Sequence, residues 1–501
     1  MPDLVVRNCR VLAGPDARDD GRLHDVHVDG RTIREVRPAG GAAAARRVIE
    51  GDGGLLAPGI VNGHQHSHEH LQKGRFPNLP LELWMNYVRP PKAVRLTERQ
   101  VYLRTMVGAL EALQSGTTTL VDDLSIGPVP DRRHYEAACQ AYEDIGIRAL
   151  VGVSMMDRPF FDSVPFVDEE FDADLLDTLR RLPQPDGEAF LELCEALARE
   201  RHPRESRVGF IVAPSAPQRC SEAFLLRARA LADRFDLPLM IHVQETRLQA
   251  VTARHRFGCT MVEYLDRIGF LRRNTTLIHG VWLTPHEIRR LAETGATVQH
   301  NPWSNLRLGS GLAPLQALLE AGVNVSLGSD GCGSTDTCNM LTVIGCASVL
   351  HTLRGDDPAR WPGAREAWRA ATVGGATALG LGDRLGTIEP GRAADFVLYR
   401  TDRVPFLPLN DALRQLCHAE RGASIEAVVV DGEVVLAQGR PTRIDADAIG
   451  REIAREFEAL HPAIADAEAS AEQIRPAMQR IYERCLAEAV ADGIIAARLP
   501  G

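Results

Sequence analysis

No run in this 501-residue sequence approaches the ~18 consecutive apolar residues of a membrane-spanning helix. The opening stretch, MPDLVVRNCRVLAGPDARDD, lacks the basic start and apolar middle of a secretion signal. A cytoplasmic chain with no membrane partner is therefore expected. Basic charge is not in excess either. The sequence has 57 Lys and Arg against 67 Asp and Glu, and the net charge of −10 argues against a nucleic-acid partner. Ten cysteines form no Cys-x-x-Cys pair, so nothing indicates a structural zinc ribbon and the thiols read as reduced. Internal repeats and low-complexity tracts are missing. What is present is a globular composition, 45% hydrophobic and 25% charged, on a chain too long for one small core.

Eight short β-rich runs recur along the middle of the chain: Leu55–Val61, Thr117–Val121, Arg148–Val153, Arg207–Val212, Pro238–Ile241, Thr275–Ile278, Ala296–Gln299 and Asn324–Leu327. Between them lie stretches with helical spacing. Thr97–Leu113 opens with a Thr N-cap and Gln three residues on, the pattern of a capping box. Strands alternating with helices predict parallel βαβ units, and eight of them predict a (β/α)8 TIM-type barrel of α/β class. A doubly wound open sheet is the competing arrangement.

Both ends have a different texture. Residues 1–57 and 386–442 each carry short β-type runs and a Val-Asp-Gly turn, at Val28-Asp29-Gly30 and Val430-Asp431-Gly432. They read as two parts of one small β-sandwich with the barrel, residues 58–385, inserted between them. Residues 443–501 read as a helical extension that packs on the barrel or on a neighbouring subunit.

Histidines and carboxylates stand where the barrel strands end. His64 and His66 follow the first run, His242 and Glu245 the fifth, His279 the sixth, His300 the seventh and Asp330 the eighth. In a barrel the ends of the strands converge on one face. His-x-His on an extended segment turns both imidazoles to one side, because side chains alternate with period 2. With a third histidine and a carboxylate they make an N/O site for one divalent ion, zinc first, with iron, manganese or cobalt accommodated. Taken singly, each residue reads equally well as surface or core polarity; the joint placement carries the inference. Cys332 and Cys338, close after Asp330, have no companion spacing and read as packing residues.

The motifs Pro58–His66 (PGIVNGHQH), His242–Glu245 (HVQE), Ile278–Thr284 (IHGVWLT), His300–Asn305 (HNPWSN) and Gly328–Gly331 (GSDG) resemble those of the amidohydrolase superfamily. The nearest resemblance is to its triazine hydrolase, guanine deaminase and S-adenosylhomocysteine deaminase-like branch. It covers most of the chain and extends to Leu385–Asp395 (LGTIEPGRAAD), similar to the family's return into its sandwich domain. The resemblance implies that His64, His66, His242 and Asp330 bind the metal and that Asp330 takes a proton from the attacking water. It implies that Glu245 passes that proton to a ring or leaving-group nitrogen, while His279 orients water or substrate. Family habit further implies a homodimer or homotetramer.

The chain departs from that pattern directly after His66. Ser67–Gly74 reads SHEHLQKG, where nucleoside-type deaminases of the branch carry small or apolar residues and then Leu-Leu-Arg-Gly. The departure argues against a nucleoside and makes His68 and His70 candidates for the pocket wall or a second metal. Trp84, Trp303 and Asn305 complete the candidate substrate contacts, the tryptophans by stacking on a flat ring. The expected reaction is hydrolytic deamination of an amino-substituted heterocycle, a small-molecule substrate. The alternative is cleavage of an acyclic amide, urea, carbamate or thiocarbamate, and a non-catalytic binding protein on the same fold is the minor one.

Overall fold

The computed structural model describes residues 1–16, 19–41, 45–495 and 497–498. Five strands come first: β1 (Leu4–Val11), β2 (His24–Asp29), β3 (Thr32–Pro38), β4 (Arg47–Glu50) and β5 (Leu55–Pro58). Then follow β6 (Ile60–Gln65), β7 (Thr117–Leu124), β8 (Arg148–Val153) and β9 (Val208–Ile211), each pairing in parallel with the next. A second parallel set is β10 (Leu239–Val243), β11 (Thr275–His279), β12 (Thr297–His300) and β13 (Asn324–Leu327). The two sets close into a barrel at two seams. At one, Val212 bridges Leu239 in parallel and accepts a hydrogen bond from the Met240 N–H at 2.9 Å. At the other, the Asp330 N–H donates to the His64 carbonyl at 2.9 Å. The second seam is thus made by two of the residues singled out for chemistry.

Every residue of β7 is buried, as both-face coverage by helices demands of a parallel barrel. The expected helices are there. Thr97 caps Glu98–Gln114, accepting from the Gln100 N–H at 3.2 Å, while the Gln100 side chain accepts from the Thr97 N–H at 3.0 Å.

The reading of Leu55–Val61 as one barrel strand is corrected: the chain changes layers at Gly59. β5 belongs to the terminal sheet, and the barrel strand is β6, which contains His64. A Cβ at Gly59 would lie 2.0 Å from the Thr118 hydroxyl oxygen, so only glycine lets the backbone pass there.

The ends build one continuous nine-stranded sheet, joined through β1, which pairs with β2 and β4 at its start and with β5 at its end. β14 (Phe396–Tyr399), β15 (Ile425–Val430), β16 (Glu433–Ala437) and β17 (Arg440–Pro441) complete it. Its halves share a separate core of Leu4, Val6, Val26, Val28, Ile33, Leu56, Phe396, Leu398 and Val429. Arg148, at the start of β8, ties sheet to barrel with bonds to Asp395 at 3.1 and 3.2 Å and to Asp431.

The C-terminal segment is helical over Ala446–Glu458 and His461–Ala487. Ile474, Met478 and Ile481 pack against Leu83, Phe171, Leu248 and Val251, so the longer helix braces the segments that roof the barrel mouth.

Candidate active site

At the C-terminal ends of the strands His64, His66 and His242 bring one ring nitrogen each within 4.8 Å of one another. Asp330 Oδ1 lies 3.6 Å from His64 Nε2 and 3.4 Å from His66 Nε2. The outer ring nitrogens are anchored. His66 Nδ1 is 2.8 Å from the Asp123 carbonyl and His242 Nδ1 is 3.0 Å from the Ser215 carbonyl, which leaves Nε2 of each directed inward. His64 is fully buried, and neither of its ring nitrogens has a hydrogen-bond partner among the described residues. Burial first, and the neighbouring imidazoles next, hold His64 and His242 well below the usual histidine range. Both therefore present neutral lone pairs. A buried, unpaired, neutral imidazole beside two more and a carboxylate is a donor set that fits a divalent ion of the zinc class.

Around this cluster Glu245 and His279 complete the floor. His279 ends β11 with φ of 76°, a conformation rare for a residue with a side chain. Asp330 has φ of 63°. Strain of this kind persists where surrounding structure enforces it. His279 Nδ1 donates to the Asn305 side-chain oxygen at 2.9 Å, directing Nε2 to within 3.6 Å of Glu245 Oε2 and 3.9 Å of Asp330 Oδ2. Burial pushes the Glu245 carboxyl up to about 7. It is thereby able to hold a proton near neutral pH.

Above the floor is a narrow cavity of about 40 Å³. His66, His242, His279, Glu245 and Asp330 line it below, and Trp84, Met85, Val88 and Arg89 line it from the helix Leu81–Val88 and its C-terminal end. Trp84 is fixed by its indole N–H, which donates to the Gly333 carbonyl at 2.9 Å.

Four of the five expected substrate contacts are corrected, since Trp84 alone among them borders the cavity. Trp303 is 37% exposed and does not border the cavity. Asn305 is buried behind His279 and acts through it. His70 turns away from the cavity toward the helix Glu98–Gln114, its Nδ1 3.2 Å from the Arg104 carbonyl and its Nε2 3.5 Å from Cys338 Sγ. Gly108 makes room for that ring, since a Cβ there would sit 2.0 Å from His70 Cε1. The turn of 3-10 helix at Ser67–Gln72 explains the divergence, because it ends the period-2 alternation that would have kept the four histidines on one side. His68 stays near the site without bordering the cavity; its ring is 5.0 Å from that of His66 and its Nδ1 accepts from the Ser125 N–H.

Sequence reasoning missed several cavity residues. Glu69 lies in the divergent SHEHLQKG stretch, and burial pushes its carboxyl up to about 7. Ser215, Gln218 and Arg219 follow β9, one of three barrel strands whose ends had drawn no candidate. Their position just past a barrel strand was the signal.

A model of the amidohydrolase family matches residues 55–435. The chain is 33% identical over 431 residues to a 5'-deoxyadenosine deaminase of Methanothermobacter thermautotrophicus, covering 86% of this chain and 93% of that one. It is 34% identical over 433 residues to a 5-methylthioadenosine/S-adenosylhomocysteine deaminase of Thermococcus kodakarensis, covering 86% and 94%. Among solved structures, an adenosine deaminase from Xanthomonas campestris with bound zinc superposes with a TM-score of 0.80 at 29% identity, over 92% of this chain and 99% of that one. An atrazine chlorohydrolase from Arthrobacter aurescens complexed with zinc gives 0.80 at 26% identity, over 90% and 99%.

Proposed function

The chain belongs to the amidohydrolase family, and from that membership we propose that it is a zinc-dependent hydrolase that removes an amino group from a nitrogen heterocycle. One observation carries the reading: three histidines and Asp330 meet beside a protonatable Glu245 at the floor of a single small-molecule cavity. His64, His66, His242 and Asp330 would hold one ion per chain. Bound there, the ion would supply acidification of a water molecule toward a pKa of ~7. The protein's own groups do the rest. Asp330 Oδ2 accepts the proton released by the attacking water. Glu245, poised near neutrality, delivers a proton at Oε2 to the ring or leaving nitrogen. His279, locked by Asn305, orients the group under attack through Nε2. Trp84 closes one wall against the ring.

Hydrolysis of an acyclic urea or carbamate is the weaker reading. Its support is the polar stretch after His66, of which Glu69 borders the cavity whereas His70 faces away from it. The proposal extends to a cytoplasmic homodimer or homotetramer, checked by light scattering on the purified protein.

The test combines metal analysis with a panel of aminated purines, pterins and triazines set beside aryl ureas. The expected result is about one zinc per chain and ammonia release from ring substrates. Below ~0.2 ion per chain, with no gain on adding Zn²⁺ or Co²⁺, the metalloenzyme reading fails. Amine release from ureas without ammonia from any ring would transfer the assignment to the second reaction.

A further inference from the structure

Two guanidinium groups border the active-site cavity, and neither has a carboxylate within ion-pair distance among the described residues. Arg89, at the end of the helix Leu81–Val88, has no side-chain hydrogen bond and no ion pair among the described residues. The acids nearest to it in effect, Asp123 and Glu69, act on it only through space. Arg219 is 9% exposed. Its partners are the Ser215 hydroxyl at 3.2 Å, the thioether sulfur of Met85 at 3.0 Å, a weak acceptor, and the Phe160 ring, whose centre is 5.5 Å away; its buried Nε has no hydrogen-bond partner, and Glu245 and Asp123 act on it only through space. Met85 lies one helical turn before Arg89, whose N–H donates to the Met85 carbonyl at 2.8 Å. The two arginines therefore flank one side chain on one wall. Burial, followed by the like charge of Arg89, pulls the Arg219 guanidinium down to about 10, so the two sense each other.

Burying cations without counter-charge costs several kcal/mol per ion unless a partner arrives. Arg148, by contrast, is held between Asp395 and Asp431. The missing partner is a planar acceptor of negative charge, the group that guanidinium forks match best. We propose that Arg89 and Arg219 clamp a carboxylate carried by the substrate, so that this enzyme acts on amino-substituted heteroaromatic acids. The inference rests on the cavity being the one where the proposed deamination occurs. The amino-bearing edge of the ring faces His279 and Glu245, Trp84 bounds the ring, and the carboxylate lies against the two arginines. The specificity is one of pairing: a neutral analogue of the same shape leaves both cations desolvated and unmatched.

The experiment uses flat rings that cannot be deaminated, so that binding is read apart from turnover. Quinoline-4-carboxylate and quinoline-4-carboxamide are titrated calorimetrically into the zinc-loaded enzyme and into Arg89→Met and Arg219→Met, with Arg219→Lys as the conservative control. The expected result is a carboxylate preference of roughly 10- to 100-fold in the wild type, the range of charge-assisted hydrogen bonds. That preference collapses toward unity in each Met variant and is partly kept in the Lys variant. Equal binding of acid and amide, no binding of either at millimolar concentration, or a preference that survives both Met substitutions (carboxylate held on the metal) overturns the clamp. Ammonia assays run in parallel separate the two claims. A carboxylate preference with no deamination of any ring acid retires the proposed reaction and keeps the clamp. Deamination of neutral rings with no preference retires the clamp alone.

Discussion

The two ends of the barrel both bury charge, and they treat it in opposite ways. At the N-terminal end Arg148 donates to Asp395 and Asp431, and Asp395 accepts in turn from the Asp431 N–H at 2.8 Å. That cluster is closed by ion pairs: Arg148 bonds both carboxylates, and Arg207 Nε lies 3.5 Å from Asp431 Oδ2. At the C-terminal end both nitrogens of His64 lack partners, Asp123 Oδ1 has none, Arg89 is unpaired, and Glu245 is lifted to about 7. Both ends hold buried charged groups, so burial by itself does not mark function. Satisfaction does. Polar groups that hold a fold are bonded within it, whereas groups left open in a buried site await something that the chain does not supply.

That contrast can be broken or sharpened by substitution. The largest effect is expected from Asp330→Asn, which removes a ligand charge and the proton acceptor together. Turnover should fall at least ~1000-fold, and retention of more than about a tenth of wild-type kcat would overturn its role. Next comes Arg148→Met at the closed end, which leaves buried Asp395 without its cation and Asp431 with Arg207 alone. It should cost ~3–5 kcal/mol of stability in denaturant titrations. A loss below ~1 kcal/mol would mean that the cluster does not tie sheet to barrel.

Glu245→Gln should act on two readouts with opposite signs. It should lower kcat ~100-fold or more while zinc content is kept; loss of zinc would make Glu245 a ligand. In the chelated protein at about pH 8 the same change should stabilise by ~1–3 kcal/mol. Because burial raises the folded-state pKa above its unfolded value of 4.5 to about 7, the wild type loses stability as pH rises between the two. The advantage of the Gln variant should therefore fade below about pH 4.5.

The smallest expected effect is the acid dependence of the closed end. Burial opposes ionisation of Asp431, yet Arg148 outweighs it and the carboxyl ends below its ordinary value of 3.8. Its contribution is present above that value and is lost as pH falls through the folded pKa. Asp431→Asn should flatten the stability slope below about pH 4 by on the order of 1 kcal/mol, read as Tm against pH; an unchanged slope would mean that Arg148 does not depress this group.

Much of this molecule was legible in advance, and the parts that were not share a cause. The strand Arg148–Val153 and the capping box at Thr97 rest on contacts within a few residues, and both stand as the sequence implies. Leu55–Val61 looks like one strand because its run of apolar residues cannot register that Gly59 carries the chain from one layer to another. His70 looked like a neighbour of His66 because spacing is visible in a sequence, whereas a 3-10 turn that points it at Cys338 is not. Arg219 drew no attention, since a lone arginine after a strand resembles any surface residue until its surroundings are known.

The amino-acid sequence by itself determined the alternation of strands and helices, hence a barrel, and set His64, His66, His242, Glu245, His279 and Asp330 at its strand ends. Those are consequences of local patterning, in which hydrophobic period and chain direction suffice. Only the tertiary structure decided which of the neighbouring polar groups share the cavity, and that Arg89 and Arg219 flank Met85 with no carboxylate in ion-pair contact among the described residues. Pairing depends on which elements pack together once the barrel closes at His64 and Asp330, and no period in the sequence records which partners a buried charge lacks.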